Sequence, residues 1–264
     1  MQHFSELTKL YIGGEWQTGT DSIAVRDLAE GGTVAEMDAA SSEQAEAALA
    51  AASEAEAAMR ETTPVERARW LEAIADALAA EAEAFTDVIV REAGKPIASA
   101  SGAAPSAAER FRRAAAEARD LARSYGEYRE GSTGGHEGWR AIVTPEPMGT
   151  VLCIAPYNYP LQTTVLQVAP ALAAGNSVVL KPSSRTPVTA AMLTDVITSA
   201  VDLPDGAINF VPGRGSEIGD TLAGDDRVDT IAMTGSSAAG EHIARESGMV
   251  KLVMELGGNA PAIV

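Results

Sequence analysis

The chain has 264 residues, a hydrophobic content of 46% and a formal net charge of −17 at pH 7. That length suits one large domain or two small ones, and so negative a chain argues against a nucleic-acid partner, which requires a basic surface. The single cysteine, Cys153, excludes a disulfide framework, and the three histidines share no metal-ligand spacing, so we expect no metal site.

The first part of the chain carries a hairpin signal followed by helices. Residues 10–16 contain two short apolar segments separated by Gly13 and Gly14, a pattern typical of a β-hairpin. Capping-box patterns begin at Ser41 and at Thr63 and predict two helix starts. The predicted helices cover about residues 42–60, 64–93 and 105–123.

The pattern changes in the second half of the chain. Residues 126–140 are rich in Gly, Glu and Tyr and predict a polar ribbon. After Pro147, apolar strands alternate with helices, which indicates a parallel, doubly wound sheet. The predicted strands are residues 150–154, 177–180, 207–211, 230–233 and 252–254, and the longer helices are residues 161–174 and 187–201.

Two glycine-rich turns follow predicted strands and open predicted helices. The first begins at Gly213 and has one residue too many for the dinucleotide fingerprint. The second runs from Thr234, Gly235 and Ser236 to Gly240, and its backbone N–H groups and Ser236 hydroxyl suit a pyrophosphate. For either turn alone, an ordinary strand-to-helix connection is the simpler interpretation.

Three polar residues stand at predicted strand ends, where doubly wound sheets bind ligands. Asn158 lies between two prolines and suits an oxyanion-hole donor. Glu255 precedes two glycines and has the setting of a general base, while Lys181 suits an anionic ligand. The alternatives are a turn residue for Asn158, a surface ion pair for Glu255 and a surface lysine for Lys181. Cys153 lies in an apolar strand and is interpreted as a buried hydrophobe.

Taken in chain order, these segments resemble the NAD(P)-dependent aldehyde dehydrogenase superfamily, from the Gly-Gly-Glu-Trp hairpin to Glu255-Leu-Gly-Gly. The resemblance implies an α/β fold with an aldehyde-dehydrogenase-type doubly wound parallel sheet and an N-terminal helical segment. It also implies oxidation of an aldehyde to a carboxylic acid with NAD(P)+ through a thioester. In that reaction Asn158 donates to the oxyanion and Glu255 activates the hydrolytic water.

In that family a catalytic cysteine follows the glutamate by a few dozen residues. We therefore expect a fragment that lacks the nucleophile and most of the catalytic domain, and that is inactive alone. The alternative is a non-catalytic nucleotide-binding or interaction module with the same fold. The resemblance implies three parts, with a homo-oligomer expected at full length: a hairpin and helices of the cofactor domain (1–125), an oligomerisation ribbon (126–146) and a nucleotide-binding α/β core (147–264).

The resemblance also implies which residues bind the cofactor. In many NAD-using members a Glu three residues after the lysine holds the ribose diol, and here that position is Ser184. A hydroxyl flanked by Lys181 and Arg185 accepts a 2′-phosphate that a carboxylate would repel, so we predict NADP as the preferred cofactor and NAD as the alternative. The implied cofactor-binding residues are Ile154, Lys181, Ser184, Gly213, Thr234, Gly235, Ser236, Gly240 and Leu256.

Within the superfamily, the motifs are most similar to the non-phosphorylating NADP-dependent glyceraldehyde-3-phosphate dehydrogenases and the lactaldehyde enzymes. This similarity implies a small aldehyde substrate, with Tyr159 and, more loosely, Arg123 as ligands of a substrate phosphate. The alternative for both is packing and surface solvation.

The N-terminus lacks the regions of a signal peptide, and no run of eighteen apolar residues exists. We therefore expect a cytoplasmic protein with no membrane partner. Only four of the twenty cationic side chains are lysines. We interpret this acidic, lysine-poor composition as an adaptation to high salt, the alternative being an acidic protein kept soluble by self-repulsion.

Overall fold

The computed structural model describes residues 7–123, 127–131 and 134–262. The strands are β1 (Leu10–Ile12), β2 (Glu15–Gln17), β3 (Asp21–Arg26), β4 (Thr33–Ala39), β5 (Glu127–Glu130), β6 (Arg140–Val143), β7 (Thr150–Ile154), β8 (Ser177–Lys181), β9 (Ile208–Phe210), β10 (Thr230–Thr234) and β11 (Lys251–Glu255). The helices are α1 (Ser42–Glu61), α2 (Pro64–Ala80), α3 (Ala82–Ala93), α4 (Ile97–Ala100), α5 (Ala103–Arg123), α6 (Pro160–Ala173), α7 (Pro187–Ala200), α8 (Gly215–Ala223) and α9 (Ser237–Glu246).

A seven-stranded sheet with the order β11-β10-β7-β8-β9-β1-β2 forms the centre of the fold. The five strands from β11 to β9 pair in parallel, and β1 and β2 add an antiparallel edge. The predicted mostly parallel sheet is therefore confirmed. None of the helices among the described residues is long and apolar enough to cross a membrane.

Both faces of the parallel strands are buried. In β7, Val151 and Cys153 belong to one apolar cluster with side chains of α6 and α7, whereas Leu152 belongs to a second cluster with side chains of α1, α8 and α9. Because successive side chains of a strand point to opposite faces, a strand covered on both sides tends to be apolar at successive positions. This explains the uninterrupted apolar run that predicted β7.

A buried amide attaches the predicted hairpin to the sheet. The Asn209 side chain in β9 is fully buried, and its oxygen accepts a hydrogen bond from Gly13 N–H at 3.0 Å. Its NH2 group donates to the Gly206 and Val178 carbonyls at 2.8 and 3.3 Å. The hairpin prediction is confirmed, and this polar contact fixes where the hairpin docks.

Polar side chains gather at the amino end of β7. The Thr150 N–H donates to Asp229 at 2.9 Å, and the Thr150 hydroxyl donates to Glu56 at 2.7 Å and lies 3.2 Å from the Ser177 hydroxyl. The Asn176 side-chain oxygen accepts from the N–H groups of Met148 and Gly149. This cluster joins β7 to α1, to β8 and to the segment before β10.

The capping boxes that the sequence predicts at Ser41 and Thr63 are both present and open α1 and α2. The sequence analysis did not predict β3 and β4, which pair antiparallel in a separate two-stranded sheet. Alternating burial at Ile23 and Val25 is the signal that identifies β3. Within the predicted ribbon, β5 and β6 form another antiparallel pair; its role in oligomerisation stays a prediction.

A buried carboxyl group from α3 caps α7. The Glu92 side chain is 2% exposed and accepts hydrogen bonds from the N–H groups of Val188 and Thr189, at 3.0 and 2.9 Å, and from the Thr189 hydroxyl. Thr186, the N-cap residue of α7, makes no side-chain cap of its own. Burial raises the pKa of Glu92 to about 7, although the three hydrogen bonds act in the opposite direction. Glu92 thus satisfies donors that a helix start leaves unpaired.

We predict that Glu92 makes the stability of the chain depend on pH. The fold favours the protonated carboxyl, so its contribution is fully present below its unfolded pKa of about 4.5 and is lost as the pH rises through about 7. Denaturant unfolding from pH 4.5 to 8 should show this loss, on the order of a few kcal/mol, in the native chain and not in Glu92→Gln. Glu83→Gln, on the exposed side of the same helix, is the control; equal pH slopes for all three proteins would contradict the prediction.

Candidate active site

The carboxyl ends of β7, β8, β9, β10 and β11 lie at one edge of the sheet because these strands are parallel. From β7 the chain proceeds through β8 to β9 on one side, and then returns to form β10 and β11 on the other side. The direction in which successive strands are added to the sheet therefore reverses between β7 and β10. Such a switch point opens a crevice at the carboxyl ends of the strands, and the predicted site residues lie around this edge.

Asn158 is exposed in the loop that follows β7. Its side-chain oxygen accepts a hydrogen bond from the N–H of Tyr159 at 3.1 Å. This contact uses the side-chain oxygen, and the NH2 group is the part of the amide that is able to donate. The turn interpretation of Asn158 and the donor interpretation are thus compatible, because different atoms of the amide serve them.

Tyr159 is the N-cap residue of α6 and is half exposed. The Lys95 ammonium, in the loop after α3, lies 3.2 Å from the centre of the Tyr159 ring. Partial burial lowers the pKa of Lys95. The sequence analysis missed Lys95, since no local pattern links it to Tyr159.

The backbone of Arg123 ends α5, but its side chain is outside the described residues, so its predicted role stays a prediction.

Lys181 at the end of β8 is buried, with 6% of its surface exposed. Its ammonium donates to the carbonyl of Gly213 at 3.2 Å and to that of Pro182 at 3.4 Å. Burial lowers the pKa of Lys181 to about 8. The surface-lysine interpretation is therefore wrong, and the structure brings the first glycine-rich turn against the predicted ribose-binding lysine.

Ser184 and Arg185 follow Lys181 in the loop between β8 and α7. Ser184 is half-buried and Arg185 is exposed. The Arg185 guanidinium lies over the Tyr157 ring, 4.7 Å from its centre. This cation–π contact joins the loop after β8 to the loop after β7 and holds the positive charge of Arg185 beside Tyr157.

The second glycine-rich turn connects β10 to α9. The Ser236 hydroxyl oxygen caps α9 by accepting from Ala239 N–H at 3.2 Å, which leaves its proton available to donate. Helix geometry provides no intrahelical acceptor for the N–H groups of Ser237 and Ala238. The turn is fixed to the next strand because Gly235 N–H donates to the Glu255 carbonyl at 3.0 Å. It therefore presents unpaired donors at the positive end of a helix dipole.

Gly240 and Leu256 are in direct contact. A Cβ atom at Gly240 would lie 2.6 Å from both terminal methyl groups of Leu256, so only glycine fits without movement of that leucine. The structure thus brings together five predicted site residues at one corner of the sheet: Thr234, Gly235, Gly240, Glu255 and Leu256. Glu255 itself is exposed, and Thr234 is its partner in the pairing of β10 with β11.

Gln167 of α6 also contacts this corner, and the sequence analysis missed it. Its NH2 group donates to the Ile154 carbonyl at 3.1 Å and lies 3.4 Å from the Thr234 hydroxyl. It thereby connects the ends of β7 and β10 across the switch point. Gln167, Thr234 and Glu255 line one cleft of about 500 Å³. The sequence signal that could have identified Gln167 is its position as a polar residue among apolar neighbours on the buried side of α6.

Cys153 lies in the middle of β7 and is fully buried. Burial raises the pKa of its thiol well above the usual range. A protonated, inaccessible thiol is a poor nucleophile, and the interpretation of Cys153 as a buried hydrophobe agrees with its position. Among the described residues, no group of three or more His, Cys, Asp or Glu side chains is placed to hold a metal ion.

Comparison with known proteins shows where this arrangement recurs. The aldehyde dehydrogenase family model matches residues 16–264. The NADP-dependent glyceraldehyde-3-phosphate dehydrogenase of Streptococcus equinus is 37% identical over 258 residues, which are 97% of this chain and 53% of that protein. The lactaldehyde dehydrogenase of Methanococcus maripaludis strain C7 is 31% identical over 258 residues, which are 97% of this chain and 54% of that protein.

A solved structure gives the same result. The crystal structure of NADP-dependent glyceraldehyde-3-phosphate dehydrogenase from Bacillus halodurans C-125 complexed with NADP matches with a TM-score of 0.90 and 33% identity. The match covers 95% of this chain and 53% of that one. The chain thus spans about half the length of the relatives it matches, and the predicted family resemblance is confirmed.

We predict that Ser236 stabilises the start of α9. Ser236→Ala removes the acceptor of Ala239 N–H, and loss of an N-cap costs about 1 kcal/mol. Ser237→Ala changes the next residue, which does not cap the helix, and is the control. Hydrogen exchange at residues 238–240 and denaturant unfolding measure the effect. Equal protection of these amides in the two variants would show that the cap has no role.

Proposed function

Because the chain belongs to the aldehyde dehydrogenase family, we propose that it is the nucleotide-binding part of an enzyme that oxidises a small aldehyde to a carboxylic acid with NADP+. One observation carries the proposal. At the switch point of the sheet, the turn that opens α9 and carries the unpaired donors is hydrogen-bonded to the backbone of Glu255, and Glu255 lines a cleft. An anion-binding helix start next to a carboxylate suits a dinucleotide held against a reacting centre.

The residues at this edge fit a dinucleotide. Ser236 and the first N–H groups of α9 suit a pyrophosphate, and the close contact of Gly240 with Leu256 leaves room for backbone alone at that point. Lys181 and Ser184 lie one strand beyond β7 and suit the ribose. Gly213, Ile154 and Leu256 supply the surrounding wall in this proposal. When bound, the dinucleotide accepts the hydride that leaves the aldehyde carbon.

Asn158 and Glu255 have different tasks in this proposal. The Asn158 NH2 group donates to the substrate oxygen as it gains negative charge. Glu255 accepts a proton from the water that hydrolyses a thioester and releases the carboxylic acid and the thiol; in this proposal the thiolate that forms the thioester comes from a cysteine other than Cys153. Tyr159 and Lys95 form a polar patch next to Asn158, and a cation there suits an anionic or hydroxylated small aldehyde. The relatives named for glyceraldehyde 3-phosphate and lactaldehyde act on molecules of this kind.

The second candidate is a nucleotide-binding or interaction module without chemistry. It is favoured by the absence of a usable thiol among the described residues, since Cys153 is buried and its pKa is raised. A nucleotide-binding module would bind a dinucleotide at the same edge without turnover, whereas an interaction module would bind none.

We predict that the 264-residue chain alone does not oxidise aldehydes. The reason is that Cys153, its single cysteine, is buried in β7. The measurement is steady-state formation of NADPH from NADP+ and glyceraldehyde or lactaldehyde by the purified chain. NADPH formation that disappears in Cys153→Ala would refute the prediction and would make Cys153 the nucleophile.

We predict that Ser184→Glu reverses the cofactor preference. A carboxylate at this position repels a 2′-phosphate and accepts hydrogen bonds from the two ribose hydroxyls of NAD+, so NADP+ binding should weaken by about 1–3 kcal/mol. Calorimetric titration of the chain with both cofactors measures the change.

Two comparisons control this experiment. NAD+ binding should hold or improve in Ser184→Glu, because the new carboxylate hinders the 2′-phosphate alone. Lys181→Met should weaken NADP+ binding through loss of the ammonium group. Tighter binding of NAD+ than of NADP+ to the native chain would overturn the proposed cofactor, though not the family.

A further inference from the structure

One buried polar atom at the switch point lacks a partner. The Gln167 side chain is 8% exposed, and its oxygen, Oε1, is buried with no hydrogen-bond partner among the described residues. Buried polar atoms are nearly always paired, so an unpaired one requires an explanation, such as a bound group that completes the bonding. Gln167 also lines the cleft that contains Glu255.

The orientation of the Gln167 amide follows from its other contacts. The NH2 group faces the Ile154 carbonyl at 3.1 Å, and a carbonyl accepts only from a donor. The oxygen is therefore the atom that stays unpaired. The same NH2 group approaches the Thr234 hydroxyl at 3.4 Å. The Thr234 oxygen is then an acceptor for Gln167, and its single proton is directed elsewhere.

These two side chains together offer one acceptor and one donor. The acceptor is Gln167 Oε1, and the donor is the Thr234 hydroxyl proton. A primary carboxamide has the complementary pair, an NH2 donor and a carbonyl acceptor on one carbon. The adjacent Glu255, which pairs with Thr234 across β10 and β11, lies on the same cleft.

We propose that Gln167 is a positioning residue that holds the carboxamide of the nicotinamide ring. Its Oε1 accepts from the carboxamide NH2 group while Thr234 donates to the carboxamide oxygen. This orients the ring at the switch point beside Glu255, at the far end of the dinucleotide from Ser184. The inference rests on the proposed dinucleotide function and assigns the part of the ligand that Lys181 and Ser184 do not reach.

The test compares ligands that differ only at the nicotinamide end of the dinucleotide. NADP+, its 3-acetylpyridine analogue and 2′-phospho-ADP-ribose are titrated calorimetrically into the full chain. The analogue keeps the carbonyl but has a methyl group in place of the NH2 group, and 2′-phospho-ADP-ribose lacks the ring. We expect Gln167→Met to weaken NADP+ roughly tenfold and to change binding of the other two ligands by less than about twofold.

Two further variants separate this role from a structural one. Gln162→Met makes the same substitution at a half-buried position on the same helix and should change no affinity. Thr234→Val removes the donor to the carbonyl, so it should weaken NADP+ and the acetyl analogue alike and leave 2′-phospho-ADP-ribose unaffected. If circular dichroism shows that Gln167→Met does not fold, Gln167→Asn is used in its place. The shorter side chain of that variant withdraws the same oxygen.

The outcomes distinguish the two proposals. Equal weakening of all three ligands in Gln167→Met, or no weakening of NADP+, would overturn the role of Gln167 while the dinucleotide site stands. A native chain that binds neither NADP+ nor 2′-phospho-ADP-ribose would overturn the proposed function, and the role of Gln167 with it.

Discussion

The pairing of β7 with strands on both of its sides determines most of this structure. β7 forms parallel ladders with β8 and with β10, so it is buried at its edges as well as on its faces. The return of the chain past β7 to form β10 creates the switch point. Glu255 ends β11 on one side of β7 and lines the cleft, whereas Lys181 ends β8 on the other side of β7.

Buried polar side chains fix the elements that surround this sheet. Glu92 joins α3 to α7, Asn209 joins the hairpin to β9, and Gln167 joins α6 to β7 and β10. Glu92 and Asn209 bond with backbone groups from a distant part of the chain, and Gln167 bonds with the backbone of Ile154, 13 residues away. Apolar packing alone tolerates sliding between layers, whereas a directional hydrogen bond in a dry interior specifies one arrangement.

The sequence predicted the features that depend on neighbouring residues. The hairpin, the capping boxes at Ser41 and Thr63 and the strands of the parallel sheet all have local signals, and the structure contains each of them. Lys95 and Gln167 were missed because their partners are far away in the chain. The burial of Lys181 was not predicted for a related reason, since the Gly213 carbonyl that accepts its hydrogen bond is 32 residues away.

Hydrophobicity does not determine the register of β7 against its neighbouring strands, because β7 is apolar at successive positions. In a strand with one wet face, a slip of one residue would expose the core, but β7 has Val151, Leu152 and Cys153 buried in succession, so a slipped strand buries equally apolar groups. The polar cluster around Thr150 at its amino end and the hydrogen bond from Gln167 to the Ile154 carbonyl at its carboxyl end distinguish the native alignment from its neighbours. The register of β7 therefore depends on a few directional hydrogen bonds at its two ends, and the hydrophobic pattern supplies the burial without the alignment.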